Sequence, residues 1–140
     1  MPALSPRLAA IVDALPLRPG LRVLEIGCGP GAMAREIAAR IGDGHVLAVD
    51  RSATAVAQAE AGCADEIESG RMSVRQSAAE DFELLPGEAP FDLAVAIRVG
   101  AFDGRYPQAG EKARARLRAA LVPGGKLYID GGDPLYEFAI

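Results

Sequence analysis

The sequence predicts an α/β fold in which helices cover both faces of a parallel sheet. Short apolar runs alternate with helix-patterned segments, several of the runs are apolar on both faces, and a glycine-dense turn joins the first run to a helix. Leu8, Ile11, Val12 and Leu15 recur at helical spacing until Pro16 and Pro19 stop them, giving a short edge helix. Residues 22–26 read as a first strand, the alanine-rich stretch 32–41 closed by Gly42 as a helix, and residues 45–49 as a second strand. Residues 54–68 are helical in composition, with Gly62 as a weak point. A modest third strand follows at 72–76 and a strongly apolar fourth at 91–97. A charged amphipathic helix is expected over 111–121, ending before Pro123-Gly124-Gly125, and a fifth strand over 126–129. The expected strand order is 3-2-1-4-5, with ligand chemistry at the carboxyl ends of the strands, where strand order reverses.

With 140 residues, half of them apolar, the chain is read as one domain spanning residues 1–140. The formal net charge of −4 shows no excess of base, so no nucleic-acid partner is expected. Cys28 and Cys63 have no ligand-like spacing, and neither a disulfide framework nor a metal site is expected from them. The first fifteen residues lack the long apolar core of a signal peptide, and no stretch reaches the length of a membrane span. A cytoplasmic, soluble protein is the expectation.

The segment Val23-Leu24-Glu25-Ile26-Gly27-Cys28-Gly29-Pro30-Gly31-Ala32 narrows the ligand. A tight turn after a strand needs positions that enter left-handed backbone conformations and place no side chain between turn and ligand, and Gly27, Gly29 and Gly31 meet that need. The helix that follows presents unpaired amides at its start, able to hold an anionic group. Glu25 shifts the preference: a pyrophosphate avoids a nearby carboxylate, whereas a ligand bearing an ammonium and a sulfonium is attracted to it. The structural alternative is a local cap or pair at the sheet rim. Asp50 closes the second strand, where a carboxylate can accept both hydroxyls of a ribose or serve as an ordinary helix cap.

Taken with Phe91-Asp92-Leu93-Ala94-Val95 and Leu121-Val122-Pro123-Gly124-Gly125-Lys126-Leu127, the motif Glu25-Ile26-Gly27-Cys28-Gly29-Pro30-Gly31 and Asp50 resemble the class I, Rossmann-like S-adenosylmethionine-dependent methyltransferases. The resemblance covers roughly residues 20–130. It implies that S-adenosylmethionine is the cofactor, that backbone around Gly27, Cys28 and Gly29 lies beside its methionyl part, and that Glu25 acts on the amino end directly or through water. It further implies that Asp50 holds the ribose and that Arg51 or Ser52 lines the adenine. Ser77, Ala78 and Ala79 fall in what resembles the adenine-binding loop. Members often carry an aspartate where this chain has Ala78, so Ser77 or backbone near Ala79 would substitute. Glu80 and Asp81 are open between solvent, a turn cap and the cofactor. A nicotinamide dinucleotide is the alternative, since Gly27, Gly29 and Ala32 satisfy its permissive fingerprint. Glu25 and Gly31 stand against it.

The acceptor is expected over the end of the fourth strand, shaped by Arg98, Phe102 and Tyr106. Relatives that modify amines or nucleic acids often carry an Asn/Asp-Pro-Pro-aromatic motif there, and this chain has Ile97-Arg98-Val99-Gly100 instead, which speaks against an exocyclic base amine or amide nitrogen and leaves ribose, oxygen and ring-atom targets open; a small-molecule acceptor is the expectation. Arg98 would bind an anionic acceptor or pair with Asp103 or Asp92. Phe102 and Tyr106 border the acceptor or cover the core. A sulfonium methyl is already activated, so no catalytic side chain and no metal are required. His45, at the start of the second strand, lies at the wrong end for catalysis, and Cys28 has no paired base. The last ten residues are expected to be too few for the helix and two strands with which the family usually continues, so the sheet edge is expected to be covered by a second copy or a partner chain, or by the tail folding back over its own sheet. A non-catalytic cofactor-binding accessory module is the remaining alternative.

Overall fold

The computed structural model describes residues 4–140; residues 1–3 of the N-terminal stretch lie outside the described residues. The elements are α1 (Pro6–Ala14), β1 (Arg22–Ile26), α2 (Ala32–Arg40), β2 (His45–Asp50), α3 (Ala53–Gly62), α4 (Ala64–Glu68), β3 (Met72–Gln76), a 3-10 turn at Ala79–Asp81, β4 (Phe91–Ala96), α5 (Pro107–Ala120), β5 (Leu121–Asp130) and β6 (Leu135–Ala139). They form one six-stranded sheet ordered β3-β2-β1-β4-β5-β6. The first five strands pair in parallel, and β6 runs antiparallel to β5. No helix among the described residues is long and apolar enough to cross a membrane.

Three differences from the sequence reading have local causes. The helix expected to weaken at Gly62 breaks there into α3 and α4, with Cys63 at the junction. Helix α5 begins at Pro107, because a proline at the first helical position sacrifices an amide that has no intrahelical acceptor anyway. Strand β5 begins five residues earlier than expected: Pro123-Gly124-Gly125 sits inside it as an irregularity, and pairing shifts from Phe91↔Leu121 to Leu93↔Lys126. The C-terminal residues add one strand, fewer than the helix and two strands with which the family usually continues, and the tail folds back onto its own sheet. An antiparallel neighbour needs only a hairpin and no crossover helix, so residues 131–134 turn the chain and Leu135–Ala139 pairs with Asp130–Lys126.

Two apolar clusters sandwich the sheet. On one face Val23, Val46 and Val95 pack with Ile11 and Val12 of α1, Met33 and Ile37 of α2, and Ala59 of α3. On the other, Leu24, Leu47 and Ala94 pack with Phe82, Phe91 and the α5 residues Ala113 and Leu117. Strands buried on both sides are what the near-continuous apolar runs require. Ser5 caps α1, its Oγ accepting from the Leu8 amide at 3.2 Å. Arg22 lies over the Phe91 ring, 4.8 Å from its centroid, and closes the base of the sheet.

Gly31 joins α2 to α3 at close range. Its φ is +93°, and a Cβ there would stand 3.0 Å from Cys63 Sγ and 3.2 Å from Ala59 Cβ. Gly31→Ala therefore combines left-handed strain with overpacking and is expected to destabilise the fold by about 2–4 kcal/mol. Urea unfolding at pH 7 checks this, and an unchanged midpoint and slope would contradict the packing.

Candidate cofactor and acceptor site

At the carboxyl end of the sheet the glycine turn, the end of β2, the segment after β3 and the segment between β4 and α5 enclose a cavity of about 560 Å³. That volume suits a nucleoside-sized ligand. Gly27, Asp50, Arg51, Ser77, Ala78 and Ala79 line it, as do Arg98 and Tyr106. Glu25, Cys28, Gly29 and Phe102 are not on its lining. Phe102 packs instead against the apolar cluster beside α5, the core-covering alternative. Glu80, left open by the sequence, does line the cavity.

The glycine turn is tied to β2 rather than left open. Val49 carbonyl oxygen accepts from the amides of Gly27 at 2.8 Å and Cys28 at 3.0 Å, and the Gly31 amide donates to the Cys28 carbonyl. Asp50 takes the Gly29 amide on Oδ2 at 2.9 Å and the Ser52 amide on Oδ1 at 2.9 Å. Pro30 has no amide to offer, so every N–H from Gly27 to Gly31 is spent inside the protein. The turn is consequently a poor anion nest. The glycines serve other ends. A Cβ on Gly27 would lie 2.7 Å from Val99 Cγ2, so its bareness lets the turn meet the β4 end. One on Gly29 would meet nothing within 4 Å, which leaves open space beside the turn.

Glu25 is the one buried charged residue among the described residues, 3 % exposed, on the sheet face it shares with Val23. Its Oε1 is buried without any hydrogen-bond partner. Burial first, and the Asp50 carboxylate second, push its pKa up to about 8. Burial and the same two carboxylates push the Cys28 thiol up to about 12, which removes it as a nucleophile at neutral pH. Packing therefore leaves a carboxyl group that a positively charged or donating ligand atom would relieve. These features fit an ammonium-bearing nucleoside: an orphaned acceptor, open space at Gly29 and the Asp50 carboxylate on one rim.

The β4 side is built differently. Arg98 adopts φ +58°, a left-handed conformation unusual for a residue with a side chain, and its amide donates to Asp130 Oδ1 at 3.0 Å. Asp130 Oδ2 in turn accepts from Arg7 at 3.2 Å. Neither pairing considered for Arg98 occurs: Asp103 binds Arg105 at 2.8 Å, and Asp92 accepts the Arg22 amide at 2.8 Å. Arg105 lines the cavity too, although sequence reasoning passed over it; its place beside Tyr106 at the start of α5 was the available signal. Gly100 has no Cβ because the Tyr106 ring occupies that space, 2.6 Å from where it would stand. His45 is held by Gly70 O at 2.7 Å and Ser73 Oγ at 2.8 Å, at the opposite end of the sheet. No group of three metal-ligating side chains occurs among the described residues.

Folding raises the pKa of Glu25 from its ordinary 4.5, so its contribution is most favourable below that value and is lost progressively as pH rises to about 8. Glu25→Gln removes the ionisation while keeping the shape. The variant is expected to exceed the wild type in stability at pH 8.5 by roughly 2–5 kcal/mol, with the gap closing toward pH 5. Urea unfolding across that range checks it; a pH-independent difference would contradict the burial of an unpaired carboxyl.

Comparison with known proteins gives the same picture. A profile of the methyltransferase domain family matches residues 23–125, well over half of the chain. The chain is 37 % identical over 126 residues to a protein-L-isoaspartate O-methyltransferase from Methylorubrum populi, covering 90 % of this chain and 52 % of that one. It is 36 % identical to the ribosomal protein L11 methyltransferase of Thermus thermophilus, covering 89 % of this chain and 44 % of that one. The chain thus spans about half the length of the curated relatives it matches. Among solved structures, phosphoethanolamine N-methyltransferase 2 of Haemonchus contortus, in complex with S-adenosyl-L-methionine, superposes with a TM-score of 0.69 at 29 % identity, over 88 % of this chain and 27 % of that one. The sheet order, the glycine turn beneath which Glu25 is buried, and the match running from β1 into β5 agree, and the chain belongs to the methyltransferase domain family.

Proposed function

We propose that this chain is an S-adenosylmethionine-dependent methyltransferase domain, acting in the cytoplasm on a small-molecule acceptor. The observation that carries the reading is the buried, unpartnered Oε1 of Glu25 beneath the glycine turn. A cationic amino group is the ligand atom that relieves it. The engaged turn amides argue against a dinucleotide, whose pyrophosphate needs free donors. In this reading Asp50 holds the ribose hydroxyls with the acceptor capacity that Gly29 and Ser52 leave free. Arg51, Ser77, Ala78 and Ala79 border the adenine, and Ser77 Oγ already donates to the Ala78 carbonyl at 2.9 Å. Glu25, Gly27, Cys28 and Gly29 support the methionyl end, and Arg98 and Tyr106 face the acceptor.

When bound, S-adenosylmethionine supplies a methyl group on a sulfonium that is already activated, so the protein's task is to orient the two reactants and exclude water. Salt bridges hold the donor side in place. Lys112 of α5 pairs with Asp81 at 3.1 Å and Arg116 of α5 with Glu83, which tether the segment after β3 to the helix behind it. At the sheet edge, Tyr136 and Phe138 of β6 are exposed, and association with a second copy or a partner chain there belongs to the same reading.

Calorimetry with S-adenosylmethionine and with NAD is the direct test of class. The account expects binding of S-adenosylmethionine alone, weakened at least tenfold in Asp50→Ala. Because Glu25 is protonated in the free protein at pH 7 and must ionise beside an ammonium, binding is expected to release close to one proton at pH 7 and far fewer at pH 9. Titrations in buffers of different ionisation enthalpy measure this, and Glu25→Gln should abolish it. Binding of NAD alone, or release unchanged in Glu25→Gln, would overturn the assignment.

A further inference from the structure

The two sides of the cavity differ in the chemistry they can perform. The carboxylates that line it, Asp50 and Glu80, come from β2 and from the 3-10 turn after β3, on one side of β1. On the other side stand Arg98, Val99, Gly100, Ala101, Arg105, Tyr106 and Ala109. Among these described residues there is no imidazole, amine, thiol or carboxylate. An alcohol, ammonium or amide acceptor has to lose a proton before or during methyl transfer, and among the described residues on this side only the Tyr106 phenol could serve as a base for it. An acceptor already ionised at neutral pH needs none.

The same side offers one arginine side chain without an ion-pair or hydrogen-bond acceptor among the described residues. Arg105 is neutralised by Asp103 at 2.8 Å, and its Nη2 donates to the Arg98 carbonyl at 3.4 Å. The Arg98 guanidinium, in contrast, has no such partner among the described residues, while its backbone is pinned at φ +58° by Asp130. A strained backbone held by a buttressed carboxylate is a costly way to present a surface charge, and it aims attention at the side chain it presents. One free guanidinium matches a monoanion, and its fork of donors matches a carboxylate in particular.

We propose that the acceptor is a small carboxylic acid and that its own ionised oxygen takes the methyl group, with Arg98 binding and orienting the carboxylate. This rests on the methyltransferase reading above. A lone pair of the carboxylate oxygen forms the new O–CH3 bond as the S–CH3 bond breaks. The bonding pair stays on sulfur, so sulfonium and carboxylate become neutral thioether and methyl ester, and no proton moves. Tyr106, resting on Gly100 at the mouth of the cavity, gives an apolar wall to the body of the acid.

The test uses the full chain with methyl-labelled S-adenosylmethionine and the small-molecule fraction of a bacterial extract. That fraction is supplemented with benzoate, hexanoate, succinate, phosphoethanolamine, phenol and hexylamine. A methyl ester releases its label as volatile methanol in alkali, whereas N-methyl, aryl ether and phosphate methyl groups do not under the same mild treatment. The expected result is alkali-labile label, reduced at least tenfold in Arg98→Gly and partly restored in Arg98→Lys, with the loss appearing in KM for the acid. Glycine is the informative replacement because φ +58° suits it, so the fold is kept while the guanidinium is removed. Alkali-stable label, no labelling despite intact binding of S-adenosylhomocysteine, or equal labelling by Arg98→Gly overturns the proposal. Absence of any S-adenosylhomocysteine binding strikes the methyltransferase reading itself, and calorimetry run alongside separates the two.

Discussion

A carboxyl group buried at the end of β1 without a partner is the constraint around which this molecule is arranged. Folding has to desolvate Glu25, and no donor among the described residues compensates it, so burial pushes its pKa up to about 8. An apolar residue at the same point of an otherwise apolar strand would pack without that penalty. The neighbouring structure sharpens the effect. Asp50 approaches from β2 with both oxygens bonded to backbone amides, which fixes a second carboxyl group close to the first.

This geometry inverts the usual logic of a glycine-rich turn between strand and helix. Such turns commonly present amides to phosphate. Here Val49, Asp50 and the Cys28 carbonyl consume the amides, and what faces the ligand is acid. The two glycines at the tip do separate jobs: Gly27 lets Val99 approach, and Gly29 leaves room where a side chain would intrude. Across the cavity, Arg98, Arg105 and Tyr106 reach in from the β4–α5 connection, with Arg105 paired to Asp103, while Arg51 stands beside Asp50 on the acidic side.

The parallel core of the fold was legible because strands covered on both faces must be apolar throughout, and Arg22–Ile26, His45–Asp50 and Phe91–Ala96 are short runs of that kind. Element ends were harder. Pro107 and Pro123-Gly124-Gly125 carry turn chemistry, yet the first opens α5 and the others lie within β5, where a shift in pairing absorbs them. Strand β6 is not legible from family-like crossover spacing, because a hairpin needs far less chain than a crossover helix. Within the site, the β1 and β2 residues were readable from motif spacing. The β4 side was only half readable, since Phe102 turns into the core and Arg105 reaches the cavity, and nothing in a loop's sequence alone distinguishes the two directions. The orphaned state of Glu25 is a property of packing. Sequence could name the residue but not its lack of a partner.

The unpartnered state of Glu25 is tested by a carbon-13 NMR titration of its side-chain carboxyl, free and saturated with S-adenosylhomocysteine, which keeps the amino group. The account predicts a midpoint near 8 in the free protein and a carboxylate ionised throughout the neutral range in the complex. A free midpoint in the ordinary range near 4.5, or a titration indifferent to the ligand, would contradict it.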